Sequence, residues 1–274
     1  MPALSVSTWS LHRRLGPTYP SLDLTDGERE AAHPYGPGTL TLLDTPAAVA
    51  ELGITNLEFV HFHFPRTDAD YLATLRDRLD AAGVTPSTLL IDSGDITAAD
   101  DESCARDLER IQAWIDIAAT LGARRSRVVA GEATSGDADA IARSIGGLSV
   151  LADYGATCGV RVITENWRQL AMDPATLLTV LDGLGDRVGL CADTGNYKGP
   201  TKYDDLRRII PRAETIHAKA DYPVAGQMDD ADFRRCLDLA RATGFSGDYV
   251  LIFDGPGDEL ASLAEMAEVV RTYL

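Results

Sequence analysis

Residues 160–165 read Val-Arg-Val-Ile-Thr-Glu, residues 188–193 Val-Gly-Leu-Cys-Ala-Asp, residues 215–219 Thr-Ile-His-Ala-Lys, and residues 249–254 Tyr-Val-Leu-Ile-Phe-Asp. Each is a short apolar or β-branched run that closes on an ionisable side chain, and longer amphipathic stretches separate them. That alternation is the pattern of repeated βα units on a parallel sheet. Toward the N-terminus the same pattern gives Leu4–Trp9, Asn56–Phe62, Ser87–Asp92 and Ser126–Ala130, which makes eight strands in all. Between strands, Tyr71, Leu72, Leu75 and Leu79, and then Leu108, Ile111, Ile115, Ala118 and Leu121, recur at helical spacing. Gly83, Gly122, Gly159 and Gly244 stand where a helix must end in a left-handed residue. Asp44-Thr45-Pro46 and Asp173-Pro174 read as helix starts, as does the solvated acidic run at 99–102. Eight such units within 274 residues predict an α/β fold, a closed (β/α)8 TIM barrel forming a single domain over residues 1–274. Leu11–Leu40, rich in Gly, Pro, Tyr and His, predicts a long first βα loop over one barrel end.

Composition narrows the function. Lys and Arg number 25 against 42 Asp and Glu, a formal charge of −17, which argues against a nucleic-acid partner because phosphate binding needs clustered basic side chains. No stretch reaches the roughly 20 apolar residues of a membrane span, and the N-terminus reads without a targeting signal, so the expected location is the cytoplasm. The four cysteines, Cys104, Cys158, Cys191 and Cys236, form no CxxC pair and are expected as free thiols.

In a TIM barrel the chemistry sits at the C-terminal ends of the strands. Read in order, those ends carry Trp9 with His12, His61 with His63, Asp92, Glu132, Glu165, Asp193, His217 with Lys219, and Asp254. Taken singly, an acidic strand end is more simply a solvated group or an arginine's partner. Glu165, Asp193, His217 and Asp254, however, close four consecutive strands, so three carboxylates and an imidazole should converge. Such a cluster repels itself unless a divalent cation joins it. Oxygen donors with one nitrogen suit Mn²⁺, Mg²⁺ or Co²⁺, with Zn²⁺ a further candidate.

These segments resemble the xylose-isomerase-like superfamily of sugar isomerases and epimerases, which also holds inosose dehydratases and the endonuclease IV type of repair enzyme. The resemblance rests on Ile-Thr-Glu165-Asn-Trp, Cys-Ala-Asp193-Thr-Gly-Asn, His217-Ala-Lys219 and Ile-Phe-Asp254-Gly-Pro-Gly, and runs over nearly the whole chain. It implies Glu165, Asp193, His217 and Asp254 as ligands of one divalent metal, most simply Mn²⁺, with Glu165 and Asp254 as the catalytic pair. The family pattern has Glu in the last place. Asp254 is one methylene shorter, which puts two-base epimerisation in question, with Glu259 a substitute carboxylate or merely a first-turn glutamate. Ala220 follows Lys219 where the family often has an acid.

The substrate-binding set read from the same strand ends is His63, Lys219, Trp9, His12, Trp167, Asn196 and His61. Trp9, His12 and Trp167 would form an apolar wall for a sugar ring, or else be plain core. Lys198–Tyr203 reads as a basic loop beside the site, suited to a phosphate or carboxylate. The expected function is a metal-dependent isomerase or epimerase of a sugar, sugar phosphate or polyol-ketone, working through an enediolate. The alternatives are a lyase, dehydratase or carbon-glycosidic bond-cleaving enzyme, and a non-enzymatic metal- or sugar-binding subunit. The resemblance implies a homo-oligomer.

Overall fold

The computed structural model, which describes residues 2–274, is an eight-stranded closed barrel in which each strand pairs in parallel with its neighbours in chain order, β8 closing onto β1. The strands are β1 (Leu4–Ser7), β2 (Asn56–Val60), β3 (Thr85–Ile91), β4 (Arg125–Val128), β5 (Arg161–Glu165), β6 (Gly189–Asp193), β7 (Ala213–Lys219) and β8 (Asp248–Ile252). The helices are α1 (His12–Leu15), α2 (Thr45–Glu51), α3 (Ala69–Ala82), α4 (Asp101–Leu121), α5 (Ala138–Cys158), α6 (Arg168–Ala171), α7 (Pro174–Leu184), α8 (Lys202–Ile209), α9 (Asp230–Ala242) and α10 (Glu259–Arg271).

The acidic excess has a local use in building these helices. Asp68, Asp100, Asp137, Asp173, Asp229 and Asp258 each cap one of them, the carboxylate accepting an amide hydrogen of the first turn. Each such cap is worth about 1 kcal/mol, and the negative charge also suits the helix dipole. At the other end, Gly83, Gly122 and Gly159 stop α3, α4 and α5 in the left-handed conformation. Leu72, Leu75 and Leu79 of α3, and Ile111, Ile115, Ala118 and Leu121 of α4, are buried, as their spacing predicts.

Several strands end earlier than their apolar runs suggest. β1 stops at Ser7 and β2 at Val60, and both chains turn at once into 3-10 turns, Thr8–Leu11 and His61–His63. β8 likewise stops at Ile252 rather than Asp254. The irregular first connection starts at Gly16 rather than Leu11, since His12–Leu15 makes a short helix, α1. It is pinned rather than loose. Thr18 bridges to Ala32, and Arg29 donates to the carbonyls of His61 and Phe64 at 3.0 and 2.9 Å while lying 4.8 Å over the Trp114 ring.

The N-terminal end of the barrel is closed by ion pairs. Arg124 and Arg125 reach Asp248 at 3.0 and 3.1 Å, and Arg161 reaches Glu214 at 2.6 Å. Among the described residues no helix is long and apolar enough to cross a membrane.

Candidate active site

The C-terminal ends of the strands open into a cavity of about 380 Å³, within the range of small-ligand sites. Its floor is charged. β5 ends in Glu165, β6 in Asp193, and β7 presents His217 on the same inward face, all with side chains no more than 5% exposed. His217 Nδ1 stands 3.5 Å from Glu165 Oε1 and 3.6 Å from Asp193 Oδ2, so the three expected groups do converge.

The other nitrogen of His217 is fixed from below. Nε2 lies 3.0 Å from Oε1 of Glu58, a fully buried carboxylate on β2. With Nε2–H donated to Glu58, Nδ1 is the nitrogen that faces Glu165 and Asp193. Burial opposes charging of His217, but Cys191, Glu58 and Glu165 outweigh it and hold its pKa well above 6.5. Asp193 is held below the ordinary carboxylate value. Burial works against this, but the bond to His217 and the charge of Lys219 prevail. The Gly195 amide donates to Asp193 Oδ1 at 2.6 Å, and the Asn166 side chain brackets the Asp193 backbone at 2.7 and 3.0 Å.

Two fixed cations share the floor and walls. Arg127 of β4, 2% exposed, spans Asp92 at 2.5 Å and Glu165 at 2.9 Å. Burial works against its charge, yet Asp92 and Glu165 raise its pKa. Lys219 Nζ stands 2.6 Å from Asp254 Oδ2. Burial likewise opposes its charge, and Asp193 and Asp254 override it. Asn196 donates to Glu165 Oε1 at 3.1 Å.

The residues expected as donors fit a divalent cation in part. Two carboxylate oxygens face one imidazole nitrogen in a buried, acid-rich floor, and the approach of Arg127 Nε to Glu165 Oε2 leaves both atoms without a well-directed hydrogen bond. Glu165, Asp193 and His217 could hold such an ion. The Cys191 thiol also approaches Glu165 and His217, the three within 4.8 Å. Burial raises its pKa, and a hard cation prefers the carboxylate to a protonated thiol. Asp254, expected as the fourth ligand, is instead engaged by Lys219 beyond the end of β8.

The aromatic walls differ from expectation. Trp9, Trp167, Asn196 and Lys219 line the cavity as anticipated, whereas His12, His61 and His63 do not. His12 stacks behind Trp9 at 4.5 Å between ring centroids, and burial lowers its pKa. His61 accepts the Asp92 amide hydrogen at Nδ1 and meets the Trp114 ring, while His63 Nδ1 pairs with Thr8 Oγ1 at 2.9 Å. Burial lowers their pKa values to about 4 and about 3. The reason is local. Glu58, Val60 and Phe62 form the inward-facing set of this segment, so it is Phe62 that faces the cavity, while His61 and His63, of the other parity, turn away from it.

Arg127, Glu58 and Arg168 went unread. Arg168, at φ +63° the one non-glycine residue with positive φ among those described, lays its guanidinium 4.2 Å over Trp167 and 3.3 Å from Glu132. Arg127 carried a faint signal, since the alternation Arg125, Ser126, Arg127 puts both arginines on one face of β4. Lys198 and Lys202 are paired with Asp221 and Asp232 at 2.9 and 2.6 Å, so the basic loop is internally neutralised. Glu259 is no first-turn ornament either. It is 2% exposed and accepts the Arg13 and Arg14 amide hydrogens at 2.9 and 3.1 Å, tying α1 to α10.

A family model described as xylose isomerase-like TIM barrel matches residues 46–272. Among solved structures, an L-ribulose 3-epimerase is 17% identical with a TM-score of 0.74, the match covering 100% of this chain and 95% of that one. A 3-keto-D-glucoside 4-epimerase from E. coli is 15% identical with a TM-score of 0.66, covering 85% and 94%. A xylose isomerase-like TIM barrel protein from Mycobacterium smegmatis in complex with magnesium is 17% identical with a TM-score of 0.70, covering 99% and 95%. At these identities the likeness shows the fold. A search of curated proteins finds no match.

Proposed function

Because this chain belongs to the xylose isomerase-like TIM-barrel family, we propose that it is a divalent-metal-dependent isomerase or epimerase of a sugar or sugar phosphate. The observation that carries this reading is the convergence of Glu165, Asp193 and His217 Nδ1 on the cavity floor. The similarity to structures titled as sugar epimerases supports it. Mn²⁺ suits two carboxylates and an imidazole, with Mg²⁺, Co²⁺ and Zn²⁺ as alternatives, and a cation held there would polarise a substrate carbonyl and its neighbouring hydroxyl.

The chain's own residues supply the rest. Glu165, steadied by Arg127 and Asn196, takes the proton beside the carbonyl to give an enediolate and returns it to the adjacent carbon or face. The Lys219 ammonium neutralises oxygen charge as it grows. Trp9, Phe62 and Trp167 give the ring an apolar seat and exclude water. The Lys219–Asp254 pair favours a second reading, in which the same enediolate expels a β-substituent, because it leaves Glu165 as the one catalytic carboxylate not held by that lysine.

The test is a panel of free and phosphorylated ketoses incubated with enzyme and Mn²⁺ in D₂O. Deuterium at carbon in a product of unchanged heavy-atom composition supports isomerisation, and loss of a fragment supports elimination. Exchange that survives exhaustive chelation would refute metal dependence, and no exchange with any ketose would refute the reading itself.

A further inference from the structure

Asp254 and Lys219 occupy the place where a fourth ligand was expected. Asp193 pairs in register with His217, His217 with Val250, and Lys219 with Ile252. In an eight-stranded barrel with a shear of about eight, equal heights advance by about one residue per strand. Two strands on from Asp193, that height falls on Ile252. Ile252 does face the cavity, and it is 4% exposed. The fourth side of the acidic floor is therefore an isoleucine side chain.

Asp254 lies two residues further on, past the end of the strand. Its side chain is 36% exposed, against 4% for Asp193 and 5% for Glu165, so it belongs to the rim rather than the floor. Its oxygen is taken by the Lys219 ammonium. Lys219 is itself held along its length. Its backbone amide donates to Thr194 Oγ1 at 3.1 Å, and its stem crosses Gly195 so closely that a Cβ there would fall 2.6 Å from Cδ. A lysine with a fixed stem and a carboxylate at its tip points one way, into the cavity.

We infer that the cation site has three protein ligands, Glu165, Asp193 and His217, with Ile252 closing its fourth side, and that Asp254 is not a ligand but the positioning residue of Lys219. Lys219 then binds the substrate oxygen opposite the floor, as a catalytic residue working by charge alone. This rests on the metal-dependent reading above and deepens it. From the rim, the ammonium supplies positive charge to a substrate oxyanion. The three-ligand floor leaves more of the cation's coordination open to the substrate.

The assignment is tested by Mn²⁺ titration of metal-free protein by calorimetry, together with kinetics on the ketose that exchanges fastest in the panel. Asp193→Asn should weaken Mn²⁺ binding by about 100-fold or more. Asp254→Asn and Lys219→Gln should each leave it within about threefold of the parent while lowering kcat/KM about 10- to 100-fold, and the double variant should lose no more than either single one, because the two residues act as a unit. Asp254 is partly exposed, so its variant is expected to fold, and circular dichroism checks this. If Asp254→Asn weakens Mn²⁺ as Asp193→Asn does, or if Lys219→Gln frees Asp254 and tightens Mn²⁺ tenfold, Asp254 is a ligand and the assignment is overturned. Independent losses that multiply in the double variant would overturn the positioning role. A parent protein that binds no Mn²⁺ would sink the metal reading itself, and this assignment with it.

Discussion

The two ends of this barrel are both lined with charge, and they use it differently. At the N-terminal end three arginines, Arg124, Arg125 and Arg161, meet two acids, Asp248 and Glu214, and each acid has a guanidinium within 3.1 Å. At the C-terminal end five carboxylates, Glu58, Asp92, Glu165, Asp193 and Asp254, share two fixed cations, Arg127 and Lys219, and an imidazole. In the lower network every acid is paired with a guanidinium, and ion pairs of that kind contribute modestly to stability. The upper one keeps a surplus of negative charge in a buried cavity. Such an excess survives folding only where a cation or a proton can be recruited, which is the mark of a working site. The same fold and residue types thus give a plug at one end and an acidic floor at the other, decided by whether the acids are matched or outnumber their fixed cations.

The largest expected effect follows from that contrast. Glu165→Gln keeps the shape of the floor but removes the proposed base, and should lower kcat for deuterium exchange by about 10²- to 10⁴-fold. Full retention of exchange would mean that the charge surplus is not catalytic. Next comes Glu58, which lies below the floor yet serves it. Glu58→Gln replaces the acceptor that fixes His217, and Mn²⁺ affinity measured by calorimetry should fall about 10- to 100-fold. An unchanged affinity would place Glu58 with the structural charges.

The sequence displayed the barrel plainly, because alternation between strand and helix periods is a local property and Asp and Gly mark the helix ends. It also displayed Glu165, Asp193 and His217, because a strand that stops on a charged residue at a barrel mouth leaves that residue few other places to point. What it hid depends on register and turn geometry. Counting by twos through His61 and His63 picks the wrong face, because Glu58, Val60 and Phe62 are the residues that point inward. The Lys219–Asp254 pair depends on how β7 meets β8. Glu58 sits mid-strand among apolar residues and Arg127 in the polar run Arg-Ser-Arg, where a charge reads as outward-facing. The closed barrel shows that both point inward, Glu58 to His217 and Arg127 to Asp92 and Glu165.

The displaced histidines make a prediction of their own. In the unfolded chain an imidazole takes a proton near pH 6.5, while in the fold burial holds His61 neutral to about 4 and His63 to about 3. Between these values the unfolded state binds more protons, so stability is full above pH 6.5 and is lost as pH falls. The loss is on the order of 1 kcal/mol per histidine for each pH unit. Urea unfolding of metal-free protein at pH 7.5 and 5.5 measures it. The fall should be shallower in His61→Gln and in His63→Gln than in the parent, and an identical fall would show that these imidazoles are not buried neutral groups.

The smallest effect belongs to the lower end and sharpens the comparison most directly. Asp248 accepts from Arg124 Nη2, Arg125 Nη1 and the Ala3 amide, with its side chain 12% exposed. Asp248→Asn keeps one acceptor oxygen and the volume but discards the charge opposite two guanidinium groups. Because Arg124 is half exposed and solvent screens it, the cost should be about 1 kcal/mol, read as a lowering of Tm by a few degrees. Its kcat and Mn²⁺ affinity should match the parent's, because no bond links this plug to the floor except through the strands themselves. A change in either would mean that the two ends are electrically coupled through the barrel interior, where Arg125 below and Arg127 above lie on one face of β4.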